Sequence, residues 1–206
     1  MMLRVYFVQQ WFNLSDPGLE EALYDSVSMR RFAGIDLGEM PVPDESTVLR
    51  FRHLLEAHAL GEKLFQQVHV YLERQGLKKV TATPANVHDS VCLPDLLHGE
   101  ETRVWGDSAY QGQTEVIRKH APKAMDFTNR RYRYKDTVDE EERVKNKTKS
   151  RVRAKVEHPF LIIKCIFGFV KTRYKGLAKN AHRLFVACAL ANLYLMRRRL
   201  WRLSRA

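Results

Sequence analysis

The chain has 206 residues, 45% apolar and 29% charged, which excludes an intrinsically disordered chain and fits one medium domain or two small ones. Its net charge of +11 is unevenly placed: residues 1–62 carry 10 acidic and 5 basic side chains, residues 63–206 carry 14 acidic and 30 basic. The second part therefore points to a polyanionic partner, against the plainer alternative of a solvated, solubilising surface.

In chain order, Leu3, Tyr6, Phe7 and Trp11 fall at helical spacing and predict a first amphipathic helix. SDPG follows, with Asp16 as the candidate N-cap and Pro17 at the first helical position, and this second helix should reach Phe32 and stop at Gly34. Asp44 should cap a third helix with Val48, Phe51, Leu54 and Leu55 facing inward, and residues 60–75 give a fourth, ending at Gly76. Short helices on tight turns fit a helix-turn-helix-like module with Ser46, Thr47 and Arg50 opening a candidate recognition helix. The acidic balance there makes a helical dimerisation or packing module at least as good a reading.

From Lys78 the character changes. Val80 to Thr83 is β-branched and predicts a short strand; 89–98 should be helical, 102–106 a strand, and 113–121 a helix. The stretch 123–135 is aromatic and basic with little periodicity, fitting a short strand or loop. A long helix is expected from Asp139 to Phe167, then a turn at Gly176 and a last helix from 181 to 203. Its apolar core, LFVACALANLYLM, is well short of the roughly 20 residues that span a membrane. The N-terminal MMLRVYFVQQWF lacks the form of a signal peptide. Cys92, Cys165 and Cys188 form no Cys-x-x-Cys pair, which argues against structural zinc and a disulfide framework and fits a reducing cytoplasm. A soluble, cytoplasmic protein is expected.

Two stretches carry candidate chemistry. In VWGDSAYQG, residues 104–112, Gly106 allows a turn and Asp107 would project from a strand end, where sites on α/β sheets open. The bland alternative is a turn or N-cap aspartate. In SRVRAKVEHPFLIIKCIF, residues 150–167, Glu157 shares a helix face with Arg153 and Lys164. A surface ion pair between Arg153 and Glu157 is the simple reading of that spacing. Against it, residues 143–179 hold twelve Lys or Arg residues and the single acid Glu157, and Pro159 follows within the helical pattern.

Asp107 in GDSAYQG, the spacing Arg153-x3-Glu157-x6-Lys164 and the tail GFVKTRYKGLAKN together resemble the DDE transposases of bacterial insertion sequences. MMLRVYFVQQWFNLSDPGLEEALYDS and PVPDESTVLRFRHLLE resemble that family's helical N-terminal domain. The resemblance implies an α+β, mostly helical chain: a helical N-terminal domain over 1–78 and an RNase-H-like catalytic domain over 79–206. It implies three carboxylates holding two divalent ions, usually Mg²⁺, for phosphodiester cleavage and strand transfer. Asp107 would be the second carboxylate and Glu157 the third, both metal ligands, with Arg153 and Lys164 on DNA phosphates; the basic cluster at 143–179 adds Lys171 and Arg173 as candidate DNA contacts. The implied partners are DNA, through terminal inverted repeats, and a second copy or intact transposase subunits.

The first carboxylate is expected on the first strand of the catalytic sheet. Here QGLKK at 75–79 runs directly into VTATPANVHD, and no aspartate occurs between Glu45 and Asn86. Asp89 is no substitute, because ANVHD matches a position after the third strand. An internal deletion is therefore expected, with a truncated sheet and an under-liganded metal site. Relatives usually carry more sequence upstream, so the start at Met1 is expected to be late. Asp107 and Glu157 should nonetheless lie close, with packing through Val104, Val156, Phe160 and Ile163. The competing readings are an active transposase, an inactive descendant that binds DNA or intact subunits, and a generic basic nucleic-acid binder; the paired settings of Asp107 and Glu157 disfavour the last.

Overall fold

The computed structural model describes residues 1–72, 79–135 and 137–204. The chain is mostly helical, with two small two-stranded sheets. It divides into two compact units: Met1–Lys78 with Pro159–Ala206, and Lys79–His158. The expected helix end at Gly76 and the junction at 75–78 lie outside the described residues. No helix among the described residues is long and apolar enough to cross a membrane.

In the first unit, α1 (Met2–Phe12) packs against several of its neighbouring helices. It buries Val5 and Val8 as well as Tyr6, while Leu3 of the expected stripe is 42% exposed. A helix contacted from several sides has no single apolar face, so its 3.6-residue periodicity points only to part of its core. Its end at Asn13 adopts the left-handed region, φ 51°, and the Asn13 N–H returns to the Gln9 carbonyl.

Ser15, rather than Asp16, caps α2 (Asp16–Asp25), its Oγ accepting from the Gly18 N–H at 3.1 Å. Asp16 is thereby the first helical residue, and its carboxylate is released for Arg52. The helix expected to reach Phe32 is broken at Ser26, whose hydroxyl caps α3 (Val27–Ala33) by accepting from Met29 N–H. Gly34 ends α3 at φ 72°, as expected of a C-cap glycine. Asp44 caps α4 (Glu45–Ala57) through Thr47 N–H at 2.7 Å. Val48 and Leu55 are buried, but Leu54 is exposed and Arg52 takes an inward position. Arg52 forms a bidentate pair with Asp16, two contacts of 2.8 Å, and its guanidinium lies 4.8 Å from the Tyr174 ring. Binary patterning misses such a position, because a charge is assigned outward by rule.

The helices α5 (Leu60–Tyr71) and α9 (Leu177–Leu203) form the most extensive helix pair. The run Ala187, Cys188, Ala189, Leu190, Ala191 is almost wholly buried, small side chains allowing close approach. Gly61 of α5 lies where a Cβ would come within 2.7 Å of the His182 ring.

In the second unit, β1 (Arg103–Val104) pairs in parallel with β2 (Met125–Asp126), and α7 (Thr114–His120) connects them. Leu93, Leu97, Ile117 and Ala121 form its buried cluster, against which Val104 and Tyr110 pack. The helix expected over 89–98 is divided into a 3₁₀ turn, Asp89–Cys92, and the short α6 (Leu93–Leu96). Val80 to Thr83 forms no strand, and this corrects the sequence expectation. A β-branched run needs a ladder to lie on, and among the described residues β1 pairs only with β2. Strands β3 (Arg133–Tyr134) and β4 (Thr137–Val138) make an antiparallel pair before α8 (Glu140–Leu161), which includes Pro159 and continues as a π-helical turn, Ile162–Ile166.

Candidate functional site

Asp107 follows the C-terminal end of β1, and Gly106 determines how close that end comes to its neighbours. A Cβ at 106 would lie 2.9 Å from Thr128 Oγ1 and 3.1 Å from Tyr110 Cβ, so only glycine fits without displacement. Asp107 Oδ1 then accepts from the Ala109 N–H at 2.9 Å and caps the 3₁₀ turn Ser108–Tyr110. Asp107 Oδ2 accepts from Arg153 at 3.2 Å. The same carboxylate is both a local cap and the anchor of an ion pair to α8. Burial raises the Tyr110 hydroxyl pKa, and the nearby carboxylates Asp89 and Asp107 raise it further.

Arg153 pairs with Asp107 and not with Glu157, although Glu157 lies one turn further along α8, about 6 Å along the axis. Glu157 is exposed, with no hydrogen bond or ion pair among the described residues. Of the residues expected to link strand and helix, Val104 packs on the Leu93–Ile117 cluster, Phe160 is 38% exposed and Ile163 is buried. The Val156 side chain lies outside the described residues. Lys164 and Lys171 are exposed. Arg173 donates to the carbonyls of Asn13 and Leu14 at 2.8 and 2.6 Å, just past the end of helix α1. Arg50, from the candidate recognition helix, folds back onto Ser46 and Thr47.

Sequence reasoning passed over Asp126, at the end of β2. Its Oδ1 accepts from Thr128 N–H and its Oδ2 from the Thr114 hydroxyl, both at 2.8 Å. Burial alone would raise this carboxyl pKa, but the Thr128 and Thr114 hydrogen bonds and Lys149 outweigh it and hold the group below its usual range. MDF at a strand end parallels the GDS that drew attention to Asp107, and was the available signal. Lys149 bridges the Thr128 carbonyl and Glu142, at 3.2 and 3.3 Å.

Among the described residues, the carboxylates form no cluster fit for a pair of divalent ions. Asp107 has one oxygen on a backbone N–H and the other on a guanidinium, so both already have partners within the protein. Among the described residues, no three His, Cys, Asp or Glu side chains gather to hold a metal ion. Mg²⁺ demands a near-octahedral oxygen set, and Asp107 with Glu157 falls short of it.

The structure thus combines a helical unit with a short parallel β-α-β element, an aspartate beyond the strand end and a basic helix bearing a glutamate. The family model described as "Transposase DDE domain" matches residues 46–193, and "Transposase domain (DUF772)" matches residues 1–54. The chain belongs to the DDE transposase family. No solved structure matches it.

Proposed function

We propose that this chain binds DNA as a DDE transposase does but neither cleaves nor joins it. Residues 1–78 correspond in this reading to the N-terminal transposase domain, and 79–206 to a catalytic domain that has lost its first strands. Asp107 and Glu157 are what is left of the carboxylate set. Lys164 and Lys171 are the cations best placed for phosphates, because Arg153 and Arg173 already have partners within the protein. The observation that carries the reading is the coupling of two facts: no aspartate lies between Glu45 and Asn86, and Asp107 is neutralised by Arg153. In-line phosphoryl transfer by two ions needs ligands that span both, about 3.5–4 Å apart, and that bridging carboxylate is the missing one.

The test is a nicking and strand-transfer assay on labelled duplex bearing the terminal repeats of an intact relative, with Mg²⁺ or Mn²⁺. Binding without product is the expected result. Product that disappears on Asp107→Ala or Glu157→Ala would overturn the reading. Insertion of the absent segment from an intact relative should restore product formation.

A further inference from the structure

Next to the Asp107 pair, with Ser108 in its wall, the second unit contains a cleft of about 740 Å³ also lined by Arg130, Arg131, Arg133, Lys135, Arg143 and Lys147. Among the described residues no carboxylate lines it, although Glu140 pairs with Arg143 from outside at 2.8 Å. Cations gathered around one concavity make its field positive, which favours an anion inside it.

The cleft is also held in shape. Asn146 is only 7% exposed; its Oδ1 accepts from the Arg130 N–H at 3.2 Å and its Nδ2 donates to the Arg130 carbonyl at 2.6 Å. Asn129 donates to Ser150 Oγ, and Gln111 accepts from the Arg131 N–H, both at 3.1 Å. Segment 129–131 is therefore fixed to α8 before any ligand arrives, and Arg131 Nε, bonded to the Arg133 carbonyl, is oriented in turn. Preorganised donors lose little freedom on binding.

We propose that this cleft binds single-stranded nucleic acid, with phosphates on Arg130, Arg133 and Lys147 and a base against Tyr132. Its volume falls in the range of about 300–1,000 Å³ that holds a small guest, enough for a nucleotide of a single strand. Tyr132, 37% exposed, offers the ring face that sequence-tolerant strand binders use alongside cations. The inference rests on the nucleic-acid binding proposed above and adds where a single strand is held and how it differs from a duplex.

The experiment measures binding of a labelled oligothymidylate and of a duplex of equal length across a salt series. Unfolding curves serve as the folding control. The triple variant Arg130→Ala/Arg133→Ala/Lys147→Ala should weaken single-strand binding at least thirtyfold and flatten its log–log salt slope by about 0.7 per lost phosphate contact. Tyr132→Ala should weaken single-strand binding roughly tenfold and leave duplex binding unchanged. A folded triple variant with wild-type single-strand affinity overturns the proposal, as does a Tyr132→Ala that changes nothing. If single-strand binding persists in the triple variant while nucleic-acid binding is lost on Lys164→Ala/Lys171→Ala, this site alone is wrong. If the unaltered protein binds no nucleic acid at all, the functional reading falls with it.

Discussion

The two units reach order by different means. The first is built on burial: Val5, Val8, Leu19, Leu23, Ala33, Ile35, Val42 and Val48 form one cluster, with α5 and α9 packed beside it. The second has a buried cluster of four residues, and side chains tie much of its irregular backbone in place: Asn146 on Arg130, Lys149 on Thr128, Asp126 on Thr128 and Glu101 on His98 and Gly99. Hydrogen-bonded ties each add about 1 kcal/mol net and specify shape well, whereas each buried large side chain stabilises by about 1.5–3 kcal/mol. The comparison teaches that the region carrying Asp107 and the basic cleft is the one with the smaller reserve of burial.

The largest expected effect tests that difference directly. Leu19 is fully buried in the first unit, and Leu19→Ala should cost about 3–4 kcal/mol in denaturant unfolding. Ile117 is equally buried in the small cluster, but its surroundings can collapse more readily, so Ile117→Ala should cost about 2 kcal/mol. Hydrogen exchange should show the amides of α7 opening at lower free energy than those of α1 and α9. Equal protection across these helices would refute the contrast.

Next in size is the ion pair within the first unit. The Arg52 side chain is 6% exposed and that of Asp16 24%, so Arg52→Ala should cost about 3 kcal/mol, at the low end for a buried pair because Asp16 retains some water. The Arg52 hydrogen bonds, helped by the one from Gln9 and opposed by burial, hold the Asp16 carboxyl below its usual range. A carboxyl whose folded pKa is depressed stabilises the fold fully above its unfolded value of about 3.9 and loses that stabilisation as pH falls through the folded value. Unfolding curves from pH 7 to pH 2 should show this acid loss in the wild type and a weaker one in Asp16→Asn.

A smaller effect is expected at the strand end. Gly106→Ala would place its methyl group against Thr128 and Tyr110, and should cost about 1–2 kcal/mol through overpacking. Thr128→Ser removes the methyl that stands 3.3 Å from that position and should recover part of the loss. No recovery would mean that the closer contacts, with the hydroxyl oxygen at 128 and Tyr110 Cβ, set the limit.

How much of this was legible in the sequence follows from the same contrast. The caps at Gly34 and Asp44, helix α7 and the long basic helix were readable because their signals are local: a left-handed glycine, a side chain bonding three residues on, and apolar spacing. Arg52 was not readable, because its partner stands 36 residues away in sequence. Nor was the shift of the cap from Asp16 to Ser15, since both residues are good caps and only Arg52 decides between them. Asp107 was legible as a residue of note but not as the partner of Arg153, which the i,i+4 rule assigned to Glu157. The basic cleft was visible only as charge around 130–149, since the Asn146 tie that fixes its shape is a tertiary contact.

The smallest expected effect is at Arg153, and it is the most informative about the candidate site. Both side chains of its pair with Asp107 are more than a third exposed, so Arg153→Ala should cost under about 1 kcal/mol, within the range of solvent-screened pairs. The Ala109 N–H stays on Asp107 Oδ1 in that variant, so the 3₁₀ turn should persist. What changes is the freedom of Oδ2 to accept a cation. A bound ion stabilises the folded state by RT ln(1 + [L]/Kd), so melting temperature against Mn²⁺ concentration reads the site without any need for activity. The wild type should show no rise specific to Mn²⁺ over a matched monovalent salt. Arg153→Ala should show one only at millimolar Mn²⁺, and Arg153→Ala/Asp107→Asn should abolish it. A wild-type rise at micromolar Mn²⁺ would mean that further oxygen ligands gather around Asp107 despite its guanidinium partner, and the proposal of an inactive protein would lose its chemical basis.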